Sequence, residues 1–322
     1  VYNIPLATNL ATAEAIVGNL VKNYVAHLIF NPVAGQGNAQ QELATICNLL
    51  EPHMTLKVSQ TTPEVTAEQL TEAAIASQPS LVIASGGDGT VSAVASNLIN
   101  TGIPLGMIPR GTANAFASAL KIPLALNPIR SACEVILAGH TRVVDAARCN
   151  GAAMILLAGI GYEAETVEKA NRELKDQWGV LAYLMAGWQQ LDEQTLFETE
   201  IEIEDSTQRF QAAAITIANA APLSSVLAQG AGQVVVNDGL LDVTIATHET
   251  KFQAITTMIS MLGSALVKLN NTQQNVTYFS AKKIKVTTDP PQKVVLDGEI
   301  IGTTPVEFES LPGALTVFAP PE

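Results

Sequence analysis

Basic residues are scarce in this sequence. Lys and Arg number 17 against 30 Asp and Glu, leaving a formal net charge of −13 and a pI near 4.7 over 322 residues. Nucleic acid is gripped largely by cations that neutralise phosphates, and no basic block occurs here, so no nucleic-acid partner is expected. The same shortage argues against electrostatic adhesion to an anionic membrane, while apolar contact with lipid stays open. Cysteines number three (Cys47, Cys133, Cys149), an odd count with none at zinc-ligand spacing. They read as reduced, buried thiols rather than a disulfide framework or a metal site. The four histidines (His27, His53, His140, His248) are scattered and read as structural. Long apolar runs are missing too. Ala212–Leu227 and Ala254–Leu266 carry polar residues and fall short of the roughly 20 residues that span a bilayer. No basic residue precedes Lys22, so the positive start of a secretory signal is absent and a cytoplasmic location is expected.

What the chain has in quantity is apolar material. Hydrophobic residues make up 48% and charged residues 15%, with a mean hydropathy of +0.25. That composition implies a folded chain with a sizeable core, and at roughly 100–200 residues per domain the length suits two domains.

The hydrophobic pattern changes character once along the chain. From Val25 to Asp145 short apolar runs alternate with helical patterns. Strands are expected at Val25–Phe30, Leu56–Ser59, Leu81–Ala84 and Pro104–Ile108, with helices at Ala39–Leu50, Pro63–Ser77 and from the Gly-rich turn through Ile99. Strands alternating with helices at this spacing imply a Rossmann-like parallel sheet covered by helices, with ligands beyond the carboxyl ends of the strands. After about residue 146, Phe197–Glu204, Gln233–Ala246, Val276–Thr287 and Val306–Glu309 alternate apolar and polar residues, the period of antiparallel strands. Helical patterns interrupt them at Val180–Leu191 and Lys251–Leu269. The expected organisation is therefore an N-terminal extension over 1–24, a parallel α/β domain over 25–148, and a β-rich, sandwich-like antiparallel domain over 149–322. The final segment is free to pack back on the first domain, and the cleft between domains is the expected site.

Three loops carry the chemistry of the first half. Ser85-Gly86-Gly87-Asp88-Gly89-Thr90 lets the backbone approach a ligand closely and opens a helix whose free N–H groups suit phosphate oxygens. The plainer reading is a tight strand-to-helix turn whose Asp and Thr cap the helix. Asn31-Pro32-Val33-Ala34-Gly35 follows the first strand, and Pro109-Arg110-Gly111-Thr112-Ala113-Asn114-Ala115-Phe116-Ala117 follows the fourth. Three polar, glycine-bearing loops after three parallel strands converge on one sheet edge, which turns alone do not require. In the second half stand Asn237-Asp238-Gly239-Leu240-Leu241-Asp242-Val243 and Leu296-Asp297-Gly298-Glu299. Asp-Gly is by itself a hairpin signal.

Taken in order, these motifs resemble the diacylglycerol kinase-like lipid kinases, in particular their soluble bacterial branch. The resemblance covers about residues 25 to 320. It implies an ATP- and Mg²⁺-dependent kinase that phosphorylates a hydroxyl of diacylglycerol or a related lipid, visiting a membrane surface peripherally; a homodimer stays open. It implies that Thr61, Gly86, Gly87, Asp88, Gly89, Thr90, Val91, Ser92, Gly111, Thr112 and Asn114 line the ATP site, with Asn31 and Gly35 in support. Asp297 is implied as the general base, with Glu299 beside it. Asp238, with the carbonyls of Val235 and Leu240, matches the family's structural magnesium site, while Asp88 and Asp145 match acids of a second magnesium network near the phosphates. An apolar slot for the lipid is expected among Leu156, Leu157, Ile160, Tyr162, Trp178, Leu181, Leu184 and Trp188, which also read as ordinary core. The chain departs from the family pattern at Ser92-Ala93, where Asn-Glu is common, and at Ala115, where Asp is common. Those departures keep a nucleotide- or lipid-binding protein with a decayed kinase site as an alternative. An NAD kinase-like enzyme is the other.

Overall fold

The computed structural model describes residues 6–13, 24–35, 37–161, 196–203, 206–221, 234–247 and 276–321. The expected helices Val180–Leu191 and Lys251–Leu269 lie outside the described residues, as do Tyr162, Trp178, Leu181, Leu184 and Trp188.

In the first half the strands are β1 (Val25–Phe30), β2 (Thr55–Gln60), β3 (Leu81–Gly86) and β4 (Leu105–Pro109). The helices are α1 (Ala39–Leu50), α2 (Ala67–Ala76), α3 (Asp88–Leu98), α4 (Ala115–Ala119) and α5 (Pro128–Ala138). Their ends follow local chemistry. Asn38 caps α1 by accepting from the N–H groups of Gln40 and Gln41, and Thr66 with Gln69 forms a capping box on α2. That box starts α2 four residues after Pro63, where the sequence pattern expects the helix to begin. Strands β3 and β4 are buried at every residue, as expected of parallel strands covered on both faces. The order β2-β1-β3-β4 is parallel throughout.

The second half contributes β5 (Thr141–Cys149), β6 (Ala152–Met154), β7 (Leu157–Gly161), β8 (Phe197–Ile203), β9 (Ser206–Ala212), β10 (Ala214–Ala218), β11 (Leu241–Ala246), β12 (Val276–Ala281), β13 (Lys283–Asp289), β14 (Lys293–Leu296), β15 (Glu299–Thr303) and β16 (Val306–Phe318). Residues 234–240, expected to continue a strand into β11, form a turn instead. The stretch Val276–Thr287 is two strands, β12 and β13, that belong to different sheets.

The parallel strands do not form a sheet of their own. Long strand β16 pairs antiparallel with β5 and β13, and its end pairs parallel with β4 through Val317 and Leu105. A single ten-stranded sheet therefore runs β2-β1-β3-β4-β16-β13-β8-β9, with β5 and β6 attached to β16. The second sheet, β12-β11-β10-β7-β14-β15, is antiparallel and packs on the antiparallel end of the first. Ile160, Ile215, Ile217, Val243, Ile245 and Val294 from one sheet meet Ile201, Ile284, Val286 and Phe308 from the other in one apolar cluster. A larger cluster, with Phe30, Met107 and Phe116 at its centre, fills the space between parallel strands and helices. Among the described residues no helix is long and apolar enough to cross a membrane.

Candidate active site

The loops that follow β1, β3 and β4 open at the same sheet edge, and the hairpin joining β14 to β15 faces them. Between them lies a cavity of about 1020 Å³. Its walls include Asn31 and Gly35, Gly87 to Thr90, Gly111, Thr112 and Asn114, and, from the other side, Asp297 and Glu299. Residues more than two hundred positions apart thus line one cavity.

The loops reach this geometry through contacts among themselves. Asn31 donates from its amide to the Thr90 hydroxyl (3.0 Å) and accepts from the N–H of Val33 (3.1 Å), tying the first loop to the Gly-rich turn. Asn114 accepts from the Gly111 N–H (2.8 Å) and donates back to the Gly111 carbonyl (2.7 Å), which closes the third loop on itself. The backbones at Gly111 and Gly87 approach so closely that a Cβ at Gly111 would lie 2.6 Å from Gly87 Cα. At Gly89 the corresponding space is open.

Arg110, unassigned by the motif reading, organises this edge. Its guanidinium donates to Glu42 on α1 (2.7 Å) and to the carbonyls of Asn31 (2.7 Å) and Ala34 (2.8 Å), and it stacks 4.2 Å over the Phe30 ring. The only visible signal for it was an Arg inside an otherwise uncharged loop of a chain poor in cations. Glu42 gave no signal beyond its place in the first turn of α1.

Asp297 occupies the tip of the β14–β15 hairpin with φ 47°, followed by Gly298 at φ 99°; two successive left-handed residues are what a two-residue primed turn requires. The hairpin reading and the base reading fall on the same residues. The turn aims the carboxylate at the segment between β6 and β7, where the N–H of Ile155 donates to Oδ2 (2.8 Å) and those of Leu156 and Leu157 donate to Oδ1 (2.9 and 3.0 Å). Three donors favour the ionised form, yet the desolvation of a carboxyl enclosed by protein outweighs them and pushes its pKa up to about 6. Asn219 holds the donors in place by bridging the carbonyls of Asp145 (3.1 Å) and Ile155 (2.9 Å), a role the sequence did not announce. Leu156, Leu157 and Ile160 from the expected lipid slot are buried here as core.

Asp88 caps α4, accepting from the Ala115 N–H at 2.6 Å, and burial raises its pKa against those backbone donors. Asp145 lies on β5. Its two oxygens accept from the N–H groups of Gly239 and Gly313 (both 2.7 Å), and it does not line the cavity. It clips the 234–240 turn to β16, because its position on β5 faces that turn rather than the phosphate loops. Asp238 is exposed on the same turn and accepts from the Leu240 N–H (3.0 Å); Val235 is exposed next to it. Thr61 follows β2, its N–H on the Phe30 carbonyl, outside the cavity wall. Val91 and Ser92 are buried on α3 and do not line the cavity either.

The Gly-rich wall offers backbone N–H groups of the kind that receive phosphate oxygens. Gly89 leaves room where a side chain would stand, and the first-turn N–H groups of α3 lack intrahelical partners. Among the described wall residues Arg110 is the one cation, and it is engaged by Glu42 and two carbonyls, while Glu42, Asp88, Asp297 and Glu299 are acids. Phosphate charge therefore calls for a metal brought with the ligand. No group of three or more His, Cys, Asp or Glu able to hold a metal occurs among the described residues. Asp88 stands at the cavity wall, and Asp238 lies exposed on the 234–240 turn near Val235 and Leu240.

This fold and this edge are those of a known class. Residues 25–149 match the diacylglycerol kinase catalytic domain, and residues 157–319 match the YegS C-terminal NAD kinase beta sandwich-like domain. The chain belongs to the diacylglycerol kinase-like lipid kinase family, a family of phosphotransferases. It is 31% identical to the diacylglycerol kinase of Bacillus subtilis, over 92% of this chain and 97% of that protein. It is 54% identical to the uncharacterized protein sll0036 of Synechocystis sp., over all of this chain and 76% of that one. A crystal structure described as "a putative diacylglycerol kinase" from Bacillus anthracis superimposes with a TM-score of 0.77 at 26% identity, covering 92% of this chain and 96% of that one.

Proposed function

We propose that this protein is an ATP- and Mg²⁺-dependent lipid kinase that phosphorylates a hydroxyl of diacylglycerol or a lipid like it, meeting its substrate peripherally at a membrane surface. The observation that carries the reading is the shared cavity: the phosphate-type loops of the parallel strands on one wall and the Asp297 carboxylate on the other. The nucleotide supplies the phosphoryl group, and Mg²⁺, when bound with it, neutralises charge that the wall leaves unmatched. Gly87, Gly89 and the start of α3 receive the phosphates through backbone N–H groups. Asp88, at the cavity wall, would help hold that ion. Asp297 accepts the proton of the acceptor hydroxyl at Oδ2, the oxygen with one backbone donor rather than two. A pKa near 6 leaves the carboxylate ionised at neutral pH and more basic than an exposed one.

The test is incubation of the pure protein with γ-labelled ATP, Mg²⁺, NAD and a panel of hydroxyl-bearing lipids. Label in a lipid supports the reading and names the acceptor. Label in NAD replaces it with the nucleotide-kinase alternative. Retained ATP binding without transfer to any acceptor replaces it with a decayed site, for which Ala115 is the first suspect.

A further inference from the structure

Leu126 and Val33 are the most exposed large apolar side chains among the described residues, at 94% and 88%. A single apolar side chain on a surface needs no explanation, but these two stand at one place. Val33 lines the cavity while remaining open to solvent, which puts it at the rim. Leu126 lies between Leu124 and Pro128, which line the same cavity. The two loops lead into α1 and α5, helices that pack against each other. On the facing side, β15 begins at the wall residue Glu299 and leaves Ile300 and Ile301 exposed at the edge of its sheet.

The backbone supplies a second observation. Leu126 has φ 50° and Asn127 φ 79°, two successive left-handed residues. Bulky side chains rarely adopt that conformation, whereas glycine and asparagine adopt it readily, so the turn does not call for leucine. Packing does not call for it either, since the side chain stands almost wholly in solvent. We infer that Val33 and Leu126 form an apolar lip that inserts into the surface of a zwitterionic lipid bilayer and seats the cavity on it. This rests on the reading of the cavity as a lipid kinase site. An acceptor held in a bilayer by its tails brings its hydroxyl to Asp297 only if the rim of the cavity meets that bilayer. Charge selects the kind of surface. A chain of net charge −13 is repelled by anionic lipid, and of the cations flanking Leu126 in sequence, Lys121 and Arg130, the second already faces Glu134 at 3.8 Å. Leucine and valine gain from leaving water whatever charge the headgroups carry.

The experiment is co-sedimentation of the whole protein, without nucleotide, with phosphatidylcholine vesicles and with vesicles of increasing phosphatidylglycerol content, at low and high salt. The variants are Leu126→Asn and the double variant Val33→Ser, Leu126→Asn. Wild type is expected on phosphatidylcholine vesicles, with no gain as anionic lipid is added and no loss as salt rises. Leu126→Asn is expected to bind them roughly tenfold more weakly and the double variant roughly a hundredfold, from the apolar area withdrawn from lipid. The melting temperature of Leu126→Asn should equal or exceed that of wild type, because asparagine accepts the left-handed backbone and no packing is lost. Lost vesicle binding then cannot be ascribed to unfolding. Failure of wild type to bind phosphatidylcholine, binding that requires phosphatidylglycerol, or unchanged binding by the double variant overturns the inference. So does self-association that the double variant abolishes in the absence of vesicle binding, which assigns the lip to a second copy of the chain. Label transferred to a detergent-dispersed lipid without vesicle binding sinks the lip alone. Vesicle binding that depends on Leu126, with no lipid labelled, sinks the kinase reading and leaves the membrane contact standing.

Discussion

The Arg110 guanidinium lies with Nε 2.7 Å from Glu42 Oε2, joining the loop after β4 to the first turn of α1. The Arg110 side chain is 1% exposed and that of Glu42 22%, so the pair is largely withdrawn from water. Breaking such a pair from one side strands a charge. Arg110→Met is expected to destabilise by about 3–5 kcal/mol and to free the Asn31–Gly35 loop, raising KM for ATP. Arg110→Lys rescues little, since an ammonium cannot hold Glu42 and two carbonyls in one plane. Denaturant midpoints and ATP kinetics of the two variants check this.

Asp297→Asn is expected to lower kcat by about 10²–10⁴-fold, the usual span for a lost general base. Nucleotide binding by calorimetry should remain, because the residue sits opposite the phosphate loops. In the wild type, kcat/KM should fall as pH drops through about 6, where the carboxyl takes up its proton and can no longer accept one. A flat profile between pH 5 and 7 contradicts the assignment.

The same carboxyl also couples stability to pH. Its folded pKa lies above the ordinary carboxyl value of 3.8, so the folded state keeps a proton that the unfolded chain has released. Its contribution is favourable below pH 4 and is lost as pH rises through about 6. The stability difference between wild type and Asp297→Asn, followed by urea denaturation from pH 4 to 7, should therefore shift against the wild type as pH rises.

Two glycines separate fold from binding. At Gly111 an added Cβ would meet backbone at 2.6 Å, whereas at Gly89 it would meet open space at the cavity. Gly111→Ala should depress the melting temperature. Gly89→Ala should melt like the wild type or slightly higher, helped by better helix propensity, while binding ATP more weakly. Thermal melts and calorimetry on both variants separate the two roles.

Asp145→Ala removes the acceptor shared by Gly239 and Gly313 and strands two N–H groups. A loss of about 2–4 kcal/mol is expected, measured by urea denaturation, since each stranded group costs about 1–3 kcal/mol and water reaches part of the gap. Magnesium affinity in the ATP complex should stay unchanged, which a direct ligand would not allow.

Much of the fold was legible. The spacing of apolar residues located β1 to β4 and α1 within two residues, because a strand buried on both faces and an amphipathic helix each write their period into neighbouring positions. Strand β16 was legible only over its first four residues. Beyond Glu309 its sequence Ser310-Leu311-Pro312-Gly313 breaks the alternation where the register with β5 shifts, and it resumes to meet β4. Of the site, the Gly-rich turns and the Asp297-Gly298 hairpin could be read, since their backbone demands are local.

The contacts between those elements were another matter. Sequence alone determined the first four strands and the helices between them, the chemistry of the turns and the shortage of cations. Tertiary structure decided that Asp297 meets the N–H groups of residues 140 to 142 positions earlier, that Arg110 pairs with Glu42, and that Asp145 clips the 234–240 turn to β16. The reason is physical. Periodicity and turn preference depend on neighbours along the chain, whereas desolvation and hydrogen-bond partnership depend on what the fold brings alongside.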